Sequence, residues 1–132
     1  MNSSHRYAVS IVYFCLLYFF LIDATLSEAK DGDVIARSTC PGGAKSKLKA
    51  SPENGKIEVE YELDNARPGE RWRIVIKSGN RVILRTARRV NGAQEINLRK
   101  VIPNGDGSEK ISAAARNLSR GGGCRVSLRF RG

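Results

Sequence analysis

Between Lys56 and Leu63 apolar and charged residues alternate without a break, in the order Lys56, Ile57, Glu58, Val59, Glu60, Tyr61, Glu62, Leu63. Successive side chains of an extended chain point to opposite faces, so this stretch has one dry face and one wet face. The pattern predicts a β-strand with Ile57, Val59, Tyr61 and Leu63 inward and the three glutamates in water. The same device recurs at Trp72–Lys77 and Cys124–Arg131, where bulky residues occupy every second position. Several half-dry strands need a second sheet to cover them. The expected fold is therefore all-β: a two-sheet antiparallel sandwich, immunoglobulin-like in general form, with about seven strands, a small closed barrel being the alternative. Trp72, the one tryptophan of the chain, is expected to be a large central piece of its core.

Turn chemistry separates the strands. Cys40-Pro41-Gly42-Gly43 precedes a thin strand at Lys45–Ala50, and Ser51–Gly55 joins that strand to the strong one in a hairpin. Pairing residues whose numbers sum to 107 would set Lys49 opposite Glu58, Lys47 opposite Glu60 and Lys45 opposite Glu62, a ladder of opposite charges on the wet side. Further turns are expected at Asp64–Glu70, Ser78-Gly79-Asn80, Asn91-Gly92 and Pro103–Gly107. The apolar triplet Val82-Ile83-Leu84 belongs to a strand whose inward face alternation does not decide. Glu109–Asn117 carries alanines that suit a helix, but Ile111, Ala113 and Ala115 are spaced as in a strand. The final segment needs a neighbour, so a strand is expected there too.

The N-terminus reads as export machinery. Met1–Tyr7 is polar and carries Arg6, Ala8–Ile22 is almost wholly apolar, and Ser27-Glu28-Ala29 presents small residues where a signal peptidase reads them. Residues 1–29 are expected to form a signal helix that is cleaved after Ala29. The apolar run, about 15 residues, is short of the roughly 20 needed to span hydrocarbon. Residues 30–39 show no period and are expected to be a flexible leader, with the sandwich domain occupying 40–132. Export places the protein outside the cell or on its surface.

Loss of residues 1–29 removes Arg6, Asp23 and Glu28, leaving 22 basic against 11 acidic residues and a net charge of +11. A balance this basic favours anionic surfaces such as envelope polymers and acidic headgroups, and also serves plain solubility. Cleavage also removes Cys15, so the mature chain keeps Cys40 and Cys124. In an oxidising compartment an isolated pair closes, and no CxxC spacing or nearby histidine points to a metal or redox pair instead. The expected bridge would hold the start of the first strand to the start of the last.

Catalytic constellations are missing from the sequence. The single histidine, His5, lies in the expected signal segment, and there is no Ser-His-Asp set, Cys-His pair, phosphate loop or zinc cluster. No enzyme, cofactor or metal is expected. Pro103–Gly107 with Asp106 and Glu109 lacks the alternating ligands of a calcium loop. Basic residues gather at Arg81, Arg85, Arg88 and Arg89, and again at Arg116, Arg120, Arg125, Arg129 and Arg131. The second group is the expected anion-binding site, because Arg125, Arg129 and Arg131 share one strand face and a guanidinium grips phosphate or carboxylate in two places. Phe130 points the other way, so nucleic acid is the poorer partner. Asn117-Leu118-Ser119 is formally a glycosylation acceptor.

In this order of features the chain resembles small exported β-sandwich proteins of actinobacteria. The residues that carry the likeness are a signal peptide, an early cysteine, KIEVEYELDN followed by PGERWRIVIKSGNRV, a Gly-rich turn, and ISAAARNLSRGGGCRVSLRF with the second cysteine. The resemblance covers about Cys40 to Phe130 and implies the sandwich and its disulfide, with no activity attached. The high arginine content departs from it. The function expected from all this is a secreted or envelope-associated, non-enzymatic binding module with a basic face for an anionic envelope polymer or acidic protein. A cationic membrane-active or inhibitory protein is the alternative. Membrane contact would otherwise run only through an uncleaved signal segment.

Overall fold

The computed structural model describes residues 32–131, and the expected signal segment lies outside the described residues. Eight strands follow one another: β1 (Val34–Thr39), β2 (Lys45–Glu53), β3 (Lys56–Asp64), β4 (Arg71–Ser78), β5 (Arg81–Arg89), β6 (Ile96–Pro103), β7 (Ser108–Asn117) and β8 (Gly123–Arg131). They form two four-stranded sheets, ordered β1-β2-β3-β6 and β5-β4-β7-β8, with antiparallel neighbours throughout. A single-turn 3-10 helix at Pro41–Gly43 lies between β1 and β2.

The core sits between the layers. Leu48, Ala50, Ile57, Val59, Tyr61, Leu63, Ile96 and Ile102 of the first sheet face Trp72, Ile74, Ile76, Ile111, Ala113, Ala115, Val126, Leu128 and Phe130 of the second. Trp72 is 1% exposed, as its flanking alternation predicts. Tyr61 is buried with its hydroxyl bonded to Ser46 Oγ, and burial pushes its phenol up to about 12. It therefore packs as a neutral group. Glu109–Asn117 is strand, its Ala113 and Ala115 paired with Ile76 and Ile74 of β4. The disulfide joins Cys40, just after β1, to Cys124 at the start of β8, tying the two sheets together.

Two expectations need correction. Residues 30–39 are not a flexible leader throughout: Val34–Thr39 is β1, paired along its whole length with β2, and the strand count is eight. An edge strand needs to bury little to be held, because its partner supplies a ladder of hydrogen bonds. Here Val34 and Ala36 pack against the core, and Asp33 lies 3.5 Å from Lys49 Nζ. The domain accordingly starts before Cys40. The β2–β3 register is also shifted by two: Lys49 faces Glu60, Lys47 faces Glu62 and Lys45 faces Asp64. The turn is the cause. A two-residue type I′ hairpin needs positive φ at both central positions, which Asn54 (49°) and Gly55 (74°) adopt, so the reversal centres on Asn-Gly. A shift of two keeps every lysine on the wet face, and the ladder of opposite charges survives.

The undecided face of β5 is settled by a bulge. Ile76 pairs with Leu84 and Lys77 with Val82, so Ile83 is the extra residue. Ile83 and Leu84 both reach the core, and Arg85 is left pointing outward opposite Val75.

Candidate anion-binding face

Alternation fixes what each sheet shows to water. On the outside of the second sheet β4 presents Arg71, Arg73, Val75 and Lys77, because Trp72, Ile74 and Ile76 between them are buried. Following the pairing outward, β5 adds Val82, Arg85, Ala87 and Arg89. On the other side β7 adds Ser108, Lys110, Ser112, Ala114 and Arg116, and β8 adds Gly123, Arg125, Ser127, Arg129 and Arg131. Ten of these residues are lysine or arginine, all exposed, and none is acidic. Among the described residues the ion pairs lie elsewhere.

The first sheet is built the opposite way. Its outward lysines on β2 face glutamates on β3, with Lys47 Nζ 3.9 Å from Glu62 and Lys49 Nζ 3.7 Å from Glu60. Arg99 of β6 reaches Glu58 at 2.8 Å and Glu53 at 3.6 Å. Hydrogen bonding from Arg99 holds the Glu58 carboxyl far below the usual carboxylate range. Charges on that face are matched across β2, β3 and β6, with Arg37 of β1 opposite Lys47 as the exception. On the second sheet they are not, so nearly all the excess positive charge of the domain collects on one surface.

That surface has relief. Arg85, Val75, Ala114 and Arg125 form one transverse row across β5, β4, β7 and β8. The two central side chains are short and half-buried, while those at the ends are long. Two shallow depressions, about 430 and 600 Å³, meet over Val75, Ala114 and Arg125. With strands about 4.8 Å apart the row is roughly 14 Å wide. Along the strands the cations continue from Arg89 and Arg71 at one corner to Arg129 and Arg131 at the opposite corner, a diagonal of roughly 35 Å by strand geometry.

Of the five arginines expected from the sequence, Arg116, Arg125, Arg129 and Arg131 lie on this face. Arg120 does not. It sits in the β7–β8 connection, where its Nε donates to Glu70 Oε2 at 2.9 Å. Arg71, Arg73, Lys77 and Lys110 join the other four, and alternation with Trp72 and Ile74 marks Arg71, Arg73 and Lys77 as outward. Of the upstream cluster Arg85 and Arg89 join the face, while Arg81 and Arg88 fall on the opposite side of β5.

Arg120 belongs to a structural network. Glu70 is 7% exposed and also accepts from Asn117 Nδ2 at 2.7 Å and from the Arg67 amide at 3.2 Å. Asn117 Oδ1 in turn accepts from the amides of Ser119 and Arg120. The formal glycosylation acceptor is thus consumed in a turn, its side chain buried. These bonds, Asn117 first and Arg120 after it, outweigh desolvation and hold the Glu70 carboxyl below its ordinary value. A Glu70→Ala change strands the Asn117 amide and is expected to cost about 2 kcal/mol. Because the folded pKa is depressed, the part of this contribution that depends on the carboxylate charge is present above the ordinary glutamate pKa of about 4.3 and lost as pH falls through the lowered folded value. The gap in urea midpoints between parent and variant should therefore be wider at pH 7 than in acid, where the neutral carboxyl still accepts from Asn117. A constant gap would contradict the network.

Two acidic groupings remain. Glu62, Asp64 and Glu95 bring carboxylate oxygens within 4.8 Å of one another, a set that a divalent cation could bridge. Partial burial and the neighbouring Asp64 raise the Glu62 carboxyl above its ordinary value. Glu109 is already engaged, since Ser78 Oγ donates to one oxygen at 2.7 Å and the Gly105 amide to the other at 3.2 Å. Among the described residues no helix is long and apolar enough to cross a membrane.

Neither a protein-family model nor a curated protein sequence matches this chain. What stands is a small all-β, two-sheet antiparallel sandwich with the Cys40–Cys124 disulfide, the kind of bond an extracytoplasmic compartment sustains.

Proposed function

We propose that this protein is an exported, envelope-associated binding module without catalytic activity, and that it holds an extended polyanion against the outer face of its second sheet. The observation that carries this reading is the ten exposed cations there with no carboxylate among them. Like charges on adjacent strands repel, so an uncompensated arrangement works against stability unless an anionic partner relieves it. The reading extends the strand order to an immunoglobulin-like plan, in which β3 and β6 pair in one sheet and β4 and β7 in the other. The signal-like N-terminus of the sequence and the disulfide support secretion. An anionic envelope polymer is the favoured partner class, with an acidic protein as a further candidate of the same charge.

A membrane-active role is less well supported. Among the described residues the large exposed hydrophobics are Val82, Val101 and Leu118, which lie on β5, on β6 and after β7. They make no apolar patch for insertion into a bilayer. The two readings separate in one experiment: the protein should sediment with purified anionic cell-wall material at low salt, detach as salt rises, and leave dye inside anionic vesicles. Dye release without sedimentation would overturn the proposal in favour of the membrane-active reading.

A further inference from the structure

We infer that the polyanion is an acidic polysaccharide, one of whose sugar rings seats in the basin over Val75 and Ala114. This rests on the polyanion-binding reading above and narrows it. The basin is not a continuous charge ladder. Val75 and Ala114 are direct cross-strand partners and give it an uncharged floor of methyl groups. Around that floor stand Arg85 and Arg125 at the ends of the row, the Arg73–Arg116 pair on one side and Lys77 on the other. The complementary ligand has an uncharged body and carries its anionic groups at the periphery. A pyranose ring bearing carboxylate or sulfate has that form: its C–H face suits the methyl floor, and its acidic group suits a guanidinium fork. Ser112 and Ser127 line the same depression, and their hydroxyls both donate to and accept from sugar hydroxyls.

Other linear polyanions match less of this. Polyphosphate is charged at every link and has no apolar body to set on the floor. Single-stranded nucleic acid binds through stacking on aromatic side chains, and no outward position of β4, β5, β7 or β8 is aromatic. The outward side chains of Val75 and Ala114 are therefore read as the surface that separates sugar from phosphate.

The test is calorimetric titration of the purified protein with oligogalacturonate and with inorganic polyphosphate of similar length, repeated on Ala114→Leu. Leucine raises the floor and leaves every cation in place. The expected result is oligogalacturonate affinity lowered about tenfold and polyphosphate affinity held within about twofold. Retained polyphosphate binding also shows that the variant is folded. Equal loss for both ligands, no loss for either, or single-stranded DNA outcompeting oligogalacturonate would overturn the sugar assignment while leaving the basic face standing. A parent protein that binds neither polymer would overturn both.

Discussion

Replacing Cys40 and Cys124 together by alanine is expected to lower the unfolding free energy by about 4 kcal/mol. The bond closes a long loop, with a sequence separation of 84, and confines the unfolded chain accordingly. It also acts at a particular place in the fold. β1 is an edge strand held by β2 on one side, and Cys40 anchors its end to β8 in the other sheet. For a domain of about this size the whole stability is of order 5–15 kcal/mol, so the double variant should melt far earlier and its β1 amides should exchange fastest. Guanidinium denaturation of the double variant and hydrogen exchange on it check both parts. An unchanged midpoint would show that sheet packing alone sets the stability.

The second large effect concerns binding. Changing Arg73, Arg85, Arg116 and Arg125 to serine removes four of the five cations around the basin, leaving Lys77, without touching a buried position. At about 0.5–1 kcal/mol for each surface charge pair, the variant is expected to bind an acidic polymer about thirty- to a thousandfold more weakly than the parent. The melting temperature should hold or rise, because removing four like charges from neighbouring strands relieves repulsion. Lower stability in the variant would mean that the guanidinium stems contribute packing over the sheet.

The parts of this architecture that were legible in the sequence are those with one buried face. β3, β4 and β8 alternate strictly because each has a core on one side and water on the other, and their inward residues are those expected. β1 was missed because an edge strand with a few half-buried side chains has too weak an alternation to announce itself. The hairpin register was displaced by two because several turn residues stand together at Ser51–Gly55, and backbone φ selected Asn54-Gly55. The candidate site was half legible. The arginines of β8 share a face by local alternation, but their union with Arg73, Lys77 and Arg85 depends on β4 lying beside β7, a pairing no local pattern states. Arg120 fell away for the same kind of reason, since its partner Glu70 is 50 residues distant.

The proposed binding surface rests on charge placement rather than on net charge. It is tested most directly by comparing two variants of equal net charge: Arg73, Arg85, Arg116 and Arg125 changed to serine on the second sheet, and Lys45, Lys47, Lys49 and Lys56 changed to serine on the first. For each, affinity for an acidic polymer is measured across a salt series. The parent and the first-sheet variant should share the steep dependence of log affinity on log salt, while the second-sheet variant loses up to about 3 from that slope. Equal losses of affinity and slope in the two variants would show that the polymer senses only total charge, and would contradict the account.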